Sequence, residues 1–196
     1  MKGYFYILLL ITIGVFACRP TEFTPKPKGY FRIELPTVHK YQSFEKSDFP
    51  FSFEYPVYGE ITKDTNLNLQ ENAPYWINVN IPDYGATIYL SYKAITPENS
   101  LLRLISESYN LSFKHDKRAD YIKTPEFITP NGYHGLGYEV GGNAASAYQF
   151  HITDSTKHFI RGSLYFNVSP NADSLKPAID FLKIDVDHLI NTLKFK

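Results

Sequence analysis

The chain contains one cysteine in 196 residues. A lone thiol excludes an intrachain disulfide and a cysteine-built structural zinc site. Nor is there a surplus of charge of either sign: twenty Lys and Arg balance twenty Asp and Glu. Such a balance argues against the clustered positive face of a nucleic-acid binder. The basic clusters at 26–32 and 114–118 read as solvated surface, and no nucleic-acid partner is expected. No uncharged run reaches the ~20 residues of a membrane-spanning helix. There is no G-x-S-x-G elbow. The glycines of "HGLGYEVGG" miss the dinucleotide pattern because Val140 stands at its last position. Of the six histidines, only His151 and His158 fall close together, and the pairing reading places Arg161 opposite His151. A cation there disfavours a metal. The expectation is no metal, no catalytic set, no diffusible cofactor and no enzyme activity.

Aromatic residues, by contrast, are abundant: 16 Tyr, 15 Phe and one Trp make up 16% of the chain. Tyrosine suits a sheet boundary, where its ring is buried and its hydroxyl wet. At 43% apolar and 20% charged, the composition is that of a globular protein.

The start of the chain is not globular. Met1-Lys2 is followed by an uncharged stretch, Tyr4 to Ala17, which fits a secretory leader. Val15-Phe16-Ala17-Cys18 resembles the bacterial lipobox, with Phe16 bulkier than is usual at its position. Residues 1–17 therefore read as a lipoprotein signal peptide, and Cys18 as the lipidated residue, its covalent lipid the only prosthetic group expected. Residues 18–28 carry Pro20, Pro25 and Pro27 and read as a semi-rigid tether. Residues 29–196 read as a single globular domain.

Within that domain, "GYFRIEL" (29–35) alternates apolar and polar side chains and predicts a first strand. Pro50 and Pro56 mark the next segment as an edge or interrupted strand. "YWINVNI", "PDYG" and "ATIYLSYKAI" predict a hairpin with Ile77, Val79 and Ile81 inward and Trp76 outward. Asn99 or Ser100 caps a helix whose apolar positions are Leu101, Leu104, Ile105 and Tyr109. A second hairpin runs from Ala147 to Val168. Its apolar parities pair Ile152 with Ile160 and leave 154–158 as the loop. "DSLKPAIDFLKIDVDHLINTLKF" predicts a final amphipathic helix capped by Asp173 or Ser174, with Pro177 in its first turn. Asp185 and Asp187 read as lying near its wet face. The order argues for an α+β fold, an antiparallel sheet flanked by helices.

Polar density peaks in "TDSTKHFIRG" (153–162). Loops on a rigid scaffold often carry recognition. Asp154, Lys157, His158 and Arg161 are accordingly the candidate partner-binding residues. Trp76 with Tyr89 is a candidate platform for sugar.

Three longer strings carry a family resemblance: "TPKPKGYFRIELP", "INVNIPDYGATIYLSYKAI" and "GNAASAYQFHITDSTKHFIRGSLYFNVSPNADS". With the ending "FLKIDVDHLINTLKFK", they resemble the gliding motility lipoprotein D (GldD) family. The element order is also similar to the Mog1/PsbP-like α/β/α sandwich. The family resemblance implies a cell-envelope lipoprotein of Bacteroidetes-type bacteria, belonging to the gliding machinery and linked to type IX secretion. It implies no catalytic residues, and only the lipidated Cys18 carries over. Arg19-Pro20-Thr21-Glu22 lacks the acidic cluster of surface-displayed lipoproteins, so a periplasm-facing anchor, in the outer membrane, is expected. The leading expectation is a non-enzymatic assembly or stabilising factor for partner envelope proteins. The alternative is a periplasmic glycan-binding protein or hydrolase acting on peptidoglycan or polysaccharide.

Overall fold

A computed structural model of the protein describes residues 29, 34–63 and 73–196. Cys18, the leader and the tether lie outside the described residues, as does most of the expected first strand. Of that strand, Gly29, Glu34 and Leu35 are described and are not extended ladder.

Eleven strands and two α-helices stand among the described residues. The strands are β1 (Tyr41–Phe44), β2 (Phe51–Pro56), β3 (Glu60–Lys63), β4 (Ile77–Ile81) and β5 (Ala86–Ala94). After helix α1 (Leu101–Phe113) come β6 (Ala119–Lys123), β7 (Glu126–Ile128), β8 (His134–Gly142), β9 (Ser146–Thr153) and β10 (His158–Phe166). Helix α2 (Ala172–Thr192) and the short β11 (Lys194–Phe195) close the chain. All pairings are antiparallel. An eight-stranded sheet runs β3-β4-β5-β10-β9-β8-β6, with β7 also on β8; a three-stranded sheet runs β1-β2-β11.

Alternation decides which side of the large sheet is which. Ile77, Val79, Ile81, Ile88, Leu90, Tyr148, Phe150, Ile152, Ile160 and Leu164 turn to one face and form the main core. Against them pack the apolar stripe of α2 and the aromatic face of the small sheet, Phe44, Phe51 and Phe53. Gly162 is needed inside this layer, because a Cβ there would stand 2.1 Å from the Phe150 ring. Helix α1 covers the opposite face, which is far more polar.

The expected register of the second hairpin is the observed one: Ile160 faces Ile152 and Arg161 faces His151. The loop is shorter than expected, since His158 already belongs to β10. The first hairpin also holds, turning through Pro82–Tyr84 and Gly85, whose φ of 54° suits glycine.

Other expectations are corrected. The prolines at 50 and 56 bound β2 rather than placing it at an edge; β2 is the centre of its sheet. Ser100 caps α1, its Oγ accepting from the Arg103 amide. Of the predicted stripe of α1, Leu104 is buried and Leu101 and Ile105 are half-buried, but Tyr109 is exposed and the buried face continues through Ser108 and Ser112. The cap of α2 is Asn171, whose Oδ1 accepts from the Ser174 amide, and Pro177 sits one turn further in. Asp185, read as near the wet face, is fully buried.

Candidate functional site

Asp154, Lys157, His158 and Arg161 do not form one cluster. Asp154 Oδ1 accepts from the amides of Thr156, Lys157 and His158 at 2.9–3.0 Å, which closes the β9–β10 turn. Those amides hold its carboxyl below the usual range against the opposing effect of burial. Lys157 is exposed at the tip. His158 turns toward the core side, its Nδ1 2.8 Å from the Tyr92 hydroxyl and its ring stacked on Phe195. Arg161 turns to the other face, beneath α1.

Helix α1 divides its face of the sheet into two clefts. On one flank, Leu101 and Ile105 of α1 face Ile128 of β7 and Leu136 of β8 across an open groove of about 800 Å³. Ser155, in the β9–β10 turn, closes one end of this groove, and His134, His151 and Thr153 add polar wall. Strand β7 lies at the rim, paired on one side with β8. Ile128 is 67% exposed there. Such an edge with an apolar side chain in the open is a ready template for an added strand.

Beneath α1 itself lies a polar layer. Ser112 Oγ donates to Gln149 Oε1 at 3.0 Å, and the Arg161 guanidinium donates to the same oxygen. Ser108 Oγ stands 3.2 Å from His151 Nδ1, with the buried Tyr138 hydroxyl at 3.4 Å. Burial, and then the Arg161 charge, push the His151 pKa down to about 4. His115 is lowered for the same reasons. On the far flank of α1, Trp76, Leu104, Leu111 and Phe159 wall a smaller cleft of about 120 Å³ at whose floor Arg161 lies. Beside it Trp76, Tyr75, Tyr92 and Asn99 line a shallow recess of about 380 Å³. The proposed partner of Trp76 in a sugar platform, Tyr89, is absent from that recess and packs edge-on to Tyr165 instead.

A third polar assembly escaped the sequence reading. Asp185 Oδ1 lies 2.6 Å from His39 Nδ1 and 3.1 Å from the Tyr41 hydroxyl, and Tyr58 donates to Oδ2. Burial and the neighbouring carboxylate raise the pKa of both tyrosines, so both stay protonated as donors. His188 stacks on Tyr41 at 3.5 Å and binds Glu54 at 2.7 Å. The signal was present: Asp185 falls three residues after Leu182 and four before Leu189, on the apolar stripe. Among the described residues, no group of three or more His, Cys, Asp or Glu is placed to hold a metal ion. No described helix is long and apolar enough to cross a membrane.

Comparison with known proteins gives two findings. The family model described as gliding motility lipoprotein GldD matches residues 20–195, nearly the whole chain. Among solved structures, the fold is similar to the solution structure of cyanobacterial PsbP (CyanoP) from Synechocystis sp. PCC 6803. The TM-score is 0.52 at 12% identity, covering 81% of this chain and 94% of that one. At that identity the likeness is one of fold, and it agrees with the expected PsbP-like sandwich. No curated protein matches the chain.

Proposed function

The chain belongs to the gliding motility lipoprotein GldD family, and from that premise we propose that it works as a non-enzymatic assembly factor in the cell envelope. Membership makes it a gliding motility lipoprotein, associated with a membrane of the envelope. The finer reading is that its domain faces the periplasm from the outer membrane and holds a partner protein of the gliding or type IX secretion machinery. One observation carries the partner-binding role. The groove between α1 and β7–β8 joins an open strand edge, an exposed Ile128 and a turn stiffened by Asp154. Apolar contact area with a polar rim on a rigid scaffold is what a protein partner requires. Asp154 and Lys157 belong to the turn that meets the groove through Ser155, His158 turns to the core side, and Arg161 serves the smaller cleft.

Ile128→Asp combined with Lys157→Glu changes two exposed side chains and leaves the fold intact. The double variant is expected to lose gliding and to lose its envelope protein crosslinks. Gliding and crosslinks at wild-type levels, with normal amounts of the variant, would remove the groove from consideration.

A second reading has its own observation, the Trp76 recess of about 380 Å³. A half-buried indole beside tyrosines and an asparagine suits a sugar ring. Here the protein would bind peptidoglycan or polysaccharide. It then co-sediments with insoluble peptidoglycan, and Trp76→Ala abolishes that. No co-sedimentation of the wild type eliminates this reading and leaves the first standing.

A further inference from the structure

The polar layer under α1 has more donors than acceptors. Gln149 is wholly buried. Its one carbonyl oxygen receives both Ser112 and Arg161. Its own Nε2 has no acceptor, and neither does Arg161 Nε. Arg161 makes no ion pair among the described residues; Glu107, the nearest acid on α1, pairs with Lys93 at 3.3 Å. Burial lowers the Arg161 pKa, as expected of a cation short of compensation. His151 and His115 are both pushed toward neutrality, so neither adds a charge of either sign. Arg161 is half-buried with its Nε shut from solvent, and a cation held there without an ion pair carries a desolvation cost.

The space beside this cation is real. The cleft of about 120 Å³ is roughly tenfold the ~10–15 Å³ that admits one water. Leu104 and Leu111 from α1, Phe159 from β10 and Trp76 ahead of β4 supply its apolar wall, and Ser91, Ser108 and the Lys93–Glu107 ion pair also line it. Glu107 is matched by Lys93, so Arg161 leaves the lining with a net positive charge, and a cation beside an apolar wall selects an anion on a short apolar stem.

We propose that this cleft binds a carboxylate carried on a short aliphatic arm, held by the Arg161 guanidinium. A planar guanidinium offers a carboxylate two parallel donors. The carboxylate comes either from a free small acid or from an acidic side chain of a protein. The inference is independent of the partner groove, which lies on the other flank of α1.

The chain has one tryptophan, which lines this cleft and the recess beside it, so intrinsic fluorescence reports on this flank of α1 and the Arg161 and Ser91 variants separate the cleft from the recess. Full-length protein in detergent is titrated with glutarate, with an end-capped glutamate, and with glutaramide and end-capped glutamine as uncharged controls. The carboxylates are expected to give a saturable change and the amides none. Response to both acids assigns the site to a carboxylate of either source; response to glutarate alone marks a free acid, and response to the capped residue alone a protein side chain. Arg161→Gln is expected to weaken binding roughly 10- to 100-fold, the worth of charged hydrogen bonds. Arg161→Lys restores part of it. Ser91→Phe, which fills the cleft and keeps the arginine, abolishes binding and guards against misreading a misfolded Arg161 variant. No saturable response in the wild type, equal response to the amides, or unchanged binding in Ser91→Phe overturns the proposal.

Discussion

Asp185→Ala is expected to lower the unfolding free energy by about 3–5 kcal/mol, because it takes a buried acceptor away from its donors. Three donors converge on this carboxylate, from His39, Tyr41 and Tyr58. Alanine leaves all three without an acceptor, and each buried orphan costs about 1–3 kcal/mol. His39 is 20% exposed at its side chain, so water relieves part of that, which places the result at the low end. Against a typical stability of about 5–15 kcal/mol, even that is a large fraction. The loss is not spread evenly. His39 and Tyr41 belong to the segment that enters the domain from the tether side, and α2 is the element that holds them. Limited proteolysis of Asp185→Ala is therefore expected to cut first around residues 37–44. Asp185→Asn keeps a carbonyl for one or two donors and turns an amide donor toward the others, so it falls between. Urea unfolding with an unchanged slope and a shifted midpoint measures both variants. A midpoint for Asp185→Ala within about 0.5 kcal/mol of wild type, the scatter of surface substitutions, would mean the cluster is a bystander.

That cluster also marks where sequence reading succeeds and where it stops. Period-2 alternation in the β9–β10 hairpin predicts Ile152 opposite Ile160, and the structure has it. A one-residue slip would have turned Tyr148, Phe150 and Ile152 to the wrong face, so the pattern admits one answer. The same holds for Ile77, Val79 and Ile81. Helix α1 is different. Its sheet face is built from Gln149, His151 and Arg161, so the helix buries Ser108 and Ser112 where a hydrophobic count looks for leucine. Polar groups bury well only with partners, and partners distant in sequence are invisible to periodicity. Asp185 fails for that reason too: its donors lie 127 to 146 residues away. Strand β1 was missed because "YQSF" is too short to show a period, and it is held by pairing with β2. The candidate residues of the hairpin were legible as a polar segment, but alternation sends His158 and Arg161 to opposite faces of the sheet. Only the three-dimensional packing of α1 turns Arg161 into part of a cleft.

Cys18→Ala is expected to abolish labelling by a palmitate analogue and to move the protein from the membrane pellet to the soluble envelope fraction. The leader's apolar run ends at this residue, and it is the only thiol in the chain. Each buried acyl methylene contributes about 0.8 kcal/mol, and one chain gives marginal binding, so the anchor needs the full lipid set on one residue. No described helix is apolar and long enough to span a bilayer. The effect should be all or none in location and close to zero in fold stability, because the domain's core is built from residues of the large sheet, the small sheet and α2. That contrast separates the two large predictions. Asp185→Ala keeps its lipid and loses stability; Cys18→Ala keeps its stability and loses its membrane. Gliding should fail in both, for different reasons, and each is checked by restoring what was lost. A transmembrane segment fused ahead of Arg19 is expected to rescue Cys18→Ala and to do nothing for Asp185→Ala. If Cys18→Ala still labels, or still pellets with membranes after a salt wash, the lipid is not on this residue and the anchor must be sought elsewhere in the chain.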